Sequence, residues 1–64
     1  MLENRVRAER QKKGLQQYRL ASRVGVHPSV ISLVENERLK PDDKLKNKLA
    51  KALDCEVLEL FPKN

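Results

Sequence analysis

Five residues, Gly14, Gly25, Pro28, Pro41 and Pro62, constrain the fold of this chain more than any other feature of it. Glycine reaches the left-handed backbone region that ends a helix, and proline starts or stops one. These residues cut the chain into short segments. Only Tyr18 and Phe61 are aromatic, and β-branched runs are few. That is poor material for strands, so an all-α fold of about five helices is expected. A first helix is predicted from about Glu3 to Lys13, with Leu2 and Val6 as a thin apolar stripe and Gly14 as its left-handed cap. A second runs from about Gln17 to Val24, buries Leu20, Ala21 and Val24, and ends at Gly25. A third runs from about Pro28 to Asn36, with Pro28 at the first helical position and Ile31 and Val34 facing inward. After the loop from Glu37 to Pro41, Asp42 caps a fourth helix that reaches about Leu53. Leu45, Leu49, Ala52 and Leu53 form its apolar stripe. A short fifth helix, about Glu56 to Leu60, returns Val57, Leu60 and Phe61 to the core.

With 64 residues the chain is expected to be one domain, residues 1–64. Cys55 is the only cysteine and His27 the only histidine, so neither a disulfide nor a tetrahedral zinc site is expected. No segment approaches the length of apolar sequence that spans a bilayer, and the start of the chain lacks the apolar core of a secretory signal. A cytoplasmic protein with access to the nucleoid is expected. No nucleophile–base pair, phosphate loop or metal cluster is visible, so the chain does not read as an enzyme and no cofactor is expected.

Charge is more informative. Residues 1–40 carry nine basic and four acidic side chains, whereas residues 41–64 carry five of each, so the net +5 lies wholly in the first part. That asymmetry favours one cationic surface and a polyanionic partner. Two short helices meet at Gly25-Val26-His27, where Gly25 permits a positive φ and Val26 plugs the turn from below. The second of them has a small, polar first turn, which suits close approach to base edges in a major groove.

The residues that carry this pattern extend along nearly the whole chain. They are Arg5-Val6 through Arg10, Gly14-Leu15-Gln16-Gln17, Leu20-Ala21, Gly25-Val26, and Val30-Ile31-Ser32-Leu33-Val34-Glu35-Asn36. Pro41, Ala50-Lys51-Ala52-Leu53 and Glu59-Leu60-Phe61 complete the set. In spacing and order the chain resembles the phage repressor/Cro-type helix-turn-helix family. The resemblance implies a compact five-helix, lambda-repressor-like domain with the helix-turn-helix at about residues 17–36. It implies that Pro28, Ser29, Ser32 and Leu33 lie near bases. Gln16, Gln17, Tyr18, Arg19, His27, Asn36, Arg38 and Lys40 are implied to face phosphates, and Arg10 and Glu35 to form an ion pair tying the first helix to the third.

Five positions depart from the family pattern. His27 stands where Ser or Thr usually caps the third helix. Tyr18 and Arg19 replace acidic residues, and Glu37 and Asp54 occupy positions where Gly is usual. The hydroxyls of Ser29 and Ser32 make weaker base contacts than Gln or Arg, so specificity is expected to lean on DNA shape and water. The function implied is a sequence-specific regulator of transcription, a repressor, that binds double-stranded DNA as a homodimer through the segment Val57 to Phe61. The competing reading is an antitoxin- or antirepressor-like module that binds a protein through the same apolar end.

Overall fold

In the computed structural model, residues 4–62 are described, and among them are five helices and no strand. They are α1 (Val6–Lys12), α2 (Gln17–Val24), α3 (Pro28–Glu35), α4 (Asp43–Ala52) and α5 (Val57–Leu60). The boundaries agree with the sequence reading except at the start. Helix α1 begins at Val6 rather than near Glu3, because Asn4 and Arg5 are used elsewhere. Asn4 Oδ1 accepts from the Val6 N–H at 3.1 Å, and the Arg5 N–H donates to the Leu60 carbonyl at 2.8 Å. The Arg5 backbone, at φ −112° and ψ 21°, is the N-cap of α1 and not a helical residue. Leu2, expected on the α1 stripe, lies outside the described residues.

The first four helices end in the same way, with one residue in the left-handed region. Gly14 has φ 68°, Gly25 φ 86°, Glu37 φ 60° and Asp54 φ 55°. After α1, the Leu15 N–H donates to the Arg10 carbonyl at 3.0 Å and the Gly14 N–H to Gln11 at 3.0 Å. The same pair of bonds recurs after α3, where Arg38 donates to Leu33 and Glu37 to Val34, and after α4, where Cys55 donates to Ala50 and Asp54 to Lys51. These bonds satisfy carbonyls that the helix itself leaves without donors. Leu15, Val26 and Cys55, each just beyond a left-handed residue, then turn back onto the core.

Glu37 and Asp54 hold by bonding and packing a conformation that glycine adopts without a steric cost. The two are not equivalent. The Glu37 carboxylate accepts from the Asn4 backbone N–H at 3.0 Å and from the Asn4 side-chain amide, whereas Asp54 is exposed and its side chain has no partner among the described residues. Asp54→Gly is therefore expected to stabilise the domain by about 0.5–1 kcal/mol, the relief of left-handed strain less the extra freedom of the unfolded chain. Glu37→Gly loses the Asn4 bonds and should gain nothing. Thermal denaturation checks the pair: a melting point for Asp54→Gly that is unchanged or lowered removes the strain argument.

Helix α2 packs chiefly on α3 and α4, while α5 packs on α4 and α1 reaches α3. Val6, Leu20, Ala21, Val24, Ile31, Val34, Leu49, Ala50, Leu53, Leu60 and Phe61 form the core. Every helix contributes to it, and no aromatic ring sits at its centre, since Phe61 lies at 8% exposure near its edge. Its Lys46 neighbour holds the ammonium 5.5 Å from the ring centre. No helix among the described residues is long and apolar enough to cross a membrane.

Candidate nucleic-acid interface

Helix α3 has two unlike sides. Ile31, Val34 and Glu35 are buried against the rest of the domain. Ser29, Ser32, Leu33 and Asn36 follow an i, i+3, i+4, i+7 spacing, which places them on one face. Ser29 and Asn36 are exposed, Ser32 is half-buried and Leu33 keeps 40% of its surface in solvent. Ser32, Leu33, Asn36 and Arg38 line a shallow open recess beside this face. Pro28 occupies the first turn, where its missing N–H leaves no helix bond unmade.

His27 caps α3 with its ring. Its Nδ1 accepts from the Ser29 backbone N–H at 3.1 Å and lies 2.9 Å from Ser29 Oγ. An imidazole thus does here what a Ser or Thr hydroxyl does at other helix starts. Val30 packs partly on the core one turn further on, so the cap holds the first turn against a fixed support.

Behind α3 lies a buried carboxylate. Glu35 has no exposed surface. Arg10 Nε donates to its Oε2 at 2.6 Å and Arg10 Nη2 to its Oε1 at 3.3 Å. Gln17 Nε2 donates to Oε1 at 2.9 Å, and Arg7 Nε approaches the same oxygen at 3.4 Å. The remaining arm of Arg10 donates to the Leu15 carbonyl at 2.8 Å. Burial pushes the Glu35 carboxyl up, but the hydrogen bonds from Arg10 and Gln17, the Arg10 charge and the Arg7 bond together hold it below the ordinary carboxylate range. Three helices, α1, α2 and α3, therefore meet at one carboxylate. Among the described residues no buried side-chain nitrogen or oxygen lacks a partner.

Two residues read as phosphate-facing have their amides committed inside the protein. The Gln17 side-chain amide nitrogen donates to Glu35 at the first turn of α2, where the backbone N–H groups have no partner within the helix. Asn36 accepts from Arg7 Nη2 at 2.9 Å through Oδ1 and donates to the Ser32 carbonyl at 2.8 Å through Nδ2. Asn36 thus closes the end of α3, and Arg7 takes a place beside the interface that the sequence reading did not give it. The signal was present: Arg7 and Arg10 stand three residues apart on α1 and so share a face.

The other exposed cationic groups lie on α2 and in the loop after α3 and do not line one common recess. Gln16, Tyr18 and Arg19 are exposed at the start of α2, with the Arg19 guanidinium 5.7 Å from the centre of the Tyr18 ring. Tyr18, Arg19, Ser22 and Arg23 line one recess along α2. Arg38 and Lys40 are exposed in the loop after α3, but only Arg38 borders the recess beside Leu33. Lys13, read from sequence as a helix-end charge, also bridges to α4 by donating to the Leu53 carbonyl at 2.5 Å.

The C-terminal segment is less available than its sequence suggests. Leu60 and Phe61 are buried in the domain's own core, and Val57 packs against that core. Leu58 is the residue that remains, with 67% of its surface exposed. Cys55 lies half-buried. Burial pushes its thiol up, and the charges of Glu9 and Glu59 add to the effect, so the nucleophilic thiolate is disfavoured. Among the described residues no three His, Cys, Asp or Glu side chains converge on a metal position.

Comparison with known proteins finds the same fold. The P22 c2 repressor in complex with the synthetic operator 9T is 33% identical in sequence and superposes with a TM-score of 0.86, covering 94% of this chain and 91% of that one. The solution structure of the DNA-binding domain of the P22 c2 repressor (residues 1–76) is 36% identical with a TM-score of 0.81, covering 83% of this chain and 70% of that one. No curated protein sequence matches at a significant level. A helix-turn-helix family model matches residues 6–60, from the start of α1 to the end of α5. The chain therefore belongs to the helix-turn-helix family of Cro/C1-type, repressor-like domains.

Proposed function

We propose that this chain regulates transcription by binding duplex DNA sequence-specifically, with α3 in the major groove, as a repressor acting in homodimeric form. The family and the fold are those of DNA-binding regulators, not of enzymes. The observation that carries the reading is the outward face of α3. Ser29 and Leu33 are exposed and Ser32 is half-buried on one face of α3, with exposed Arg38 beside them. Small hydroxyls permit close approach to base edges, and Leu33 offers an apolar contact for a thymine methyl. The backbone N–H groups at the start of α2, together with Gln16, Tyr18, Arg19, Arg38, Lys40 and His27, supply positioning contacts to phosphates. Arg7 joins that set from α1.

A single recognition helix reads few base pairs, and a two-fold dimer doubles the site. Leu58 is the contact point in this reading, since Leu60 and Phe61 are spent on the core. The cytoplasm, with access to the nucleoid, is the setting that fits such a regulator. Fluorescence anisotropy on labelled genomic fragments across a salt series tests the whole reading. Affinity should fall steeply and linearly on logarithmic axes as phosphate neutralisation is undone. No binding at low salt, combined with capture of a stoichiometric protein partner, would assign the fold to protein interaction instead.

A further inference from the structure

The cap at the start of α3 fixes the direction of a hydrogen atom. The Ser29 backbone N–H can only donate, and it points at His27 Nδ1 from 3.1 Å. Nδ1 therefore carries a lone pair and no proton, and the neutral ring bears its proton on Nε2. Ser29 Oγ lies 2.9 Å from that same Nδ1. Two groups this close need one hydrogen between them, and Nδ1 has none to give. The hydroxyl hydrogen of Ser29 must supply it. With its only hydrogen turned back toward His27, Ser29 Oγ presents lone pairs alone to the outside, at the first exposed position of α3.

We infer that Ser29 reads an exocyclic amino group, the N6 of adenine or the N4 of cytosine, and that His27 is the positioning residue that makes it do so. The inference rests on the reading of α3 as the major-groove helix. A free serine hydroxyl is an ambiguous reader, because it rotates to donate or to accept. A serine whose hydrogen is already held can only accept. In the major groove adenine and cytosine offer amino donors, while guanine O6 and thymine O4 are acceptors that face such an oxygen lone pair to lone pair. Turning the hydroxyl round to suit guanine or thymine gives up the bond to His27. A Ser or Thr in place of His27 caps with a hydroxyl oxygen, and an Ala abolishes the acceptor altogether. His27 thus gives Ser29 a selectivity that serine at this position lacks by itself.

Two measurements test the inference. Nitrogen-15 correlation spectra of the free protein report the tautomer directly. They should show a pyridine-type Nδ1 and a pyrrole-type Nε2 for His27, and a pyrrole-type Nδ1 overturns the inference without any DNA present. Binding is then measured to duplexes, obtained by in vitro selection, that carry each base in turn at the pair whose preference changes in Ser29→Ala. The wild-type protein should favour adenine or cytosine there by about two- to tenfold, the worth of one net hydrogen bond. Ser29→Ala should bind with that preference gone. His27→Ala should also lose it. His27→Asn, whose side-chain carbonyl accepts from both Ser29 groups and is a good cap, should restore it. Circular dichroism confirms that each variant is folded at the assay temperature. A preference that survives in His27→Ala, or one for guanine or thymine, overturns the assignment. Duplex binding in which Ser29→Ala changes the preference at no pair overturns this inference alone, whereas no duplex binding at low salt overturns the major-groove reading with it.

Discussion

Replacing Arg10 by Met is expected to cost about 3–5 kcal/mol, because it leaves a buried carboxylate without its principal partner. Glu35 has no exposed surface and takes two donors from Arg10. Gln17 and Arg7 remain in the variant, but Gln17 carries no charge and Arg7 approaches only at 3.4 Å. A domain of 64 residues has roughly 3–10 kcal/mol of stability in all. Arg10→Met should therefore lose a large share of that stability, read as a strongly lowered urea midpoint and melting point by circular dichroism. The double variant Arg10→Met, Glu35→Leu removes both charges and should recover much of the loss, since a well-packed apolar pair is often as stable as a buried ion pair. A single variant that melts within a few degrees of the wild type would show that Glu35 finds enough support elsewhere.

The same carboxylate sets an acid limit. Glu35 titrates below its ordinary value in the folded protein, so as pH falls the unfolded chain takes up the proton first. The stability that ionised Glu35 contributes is complete above the ordinary carboxylate range. It drains away as pH falls through that range toward the lowered folded value. Urea midpoints of the wild type should fall over this acidic interval, and those of the double variant should fall less.

The second large effect concerns phosphate. Changing Arg19, Arg38 and Lys40 together to Gln should lower the slope of log affinity against log salt by about 2.7, at about 0.9 for each phosphate left without its cation. Between 50 and 200 mM salt that is a change of roughly fortyfold in how far affinity falls. All three side chains are exposed, so the melting point should hold. Lys44, Lys48 and Lys51, all exposed on α4, provide the control. Their removal takes away the same charge from another element. Equal slopes for the two triple variants would mean that net charge, and not the position of Arg19, Arg38 and Lys40, governs binding.

Much of the fold was legible because the punctuation is local. Gly14, Gly25, Pro28 and Asp42 each act within a few residues, through a positive φ, a fixed φ or a side-chain cap, and such signals need no knowledge of the rest of the chain. The start of α1 was not legible for the opposite reason. It is decided by Arg5 bonding to Leu60 and Asn4 bonding to Glu37 and Val34, interactions that exist only once the chain has folded. The site divides along the same line. His27 reads as a weak cap in sequence, because helix propensity weighs residue types and not the direction of a ring nitrogen. The commitment of Gln17 to Glu35, and of Asn36 to Arg7, is tertiary and could not be read from spacing. Leu60 and Phe61 look like an apolar end free to meet another chain, and are instead needed to close a small core.

The bond between the Arg5 N–H and the Leu60 carbonyl makes the fold nearly a ring. The path from α1 to α5 returns to within hydrogen-bonding distance of its own beginning, at an edge remote in sequence from α3. Order along the chain is therefore a weak constraint on the architecture. The helices could be strung together by a different set of links, with a short tether joining the region of Pro62 to that of Asn4 and an opening made at another exposed turn, and each would still find the same neighbours. A permuted chain of this kind keeps the α2–α3 unit intact, so that unit is portable among topologies that share nothing but their packing.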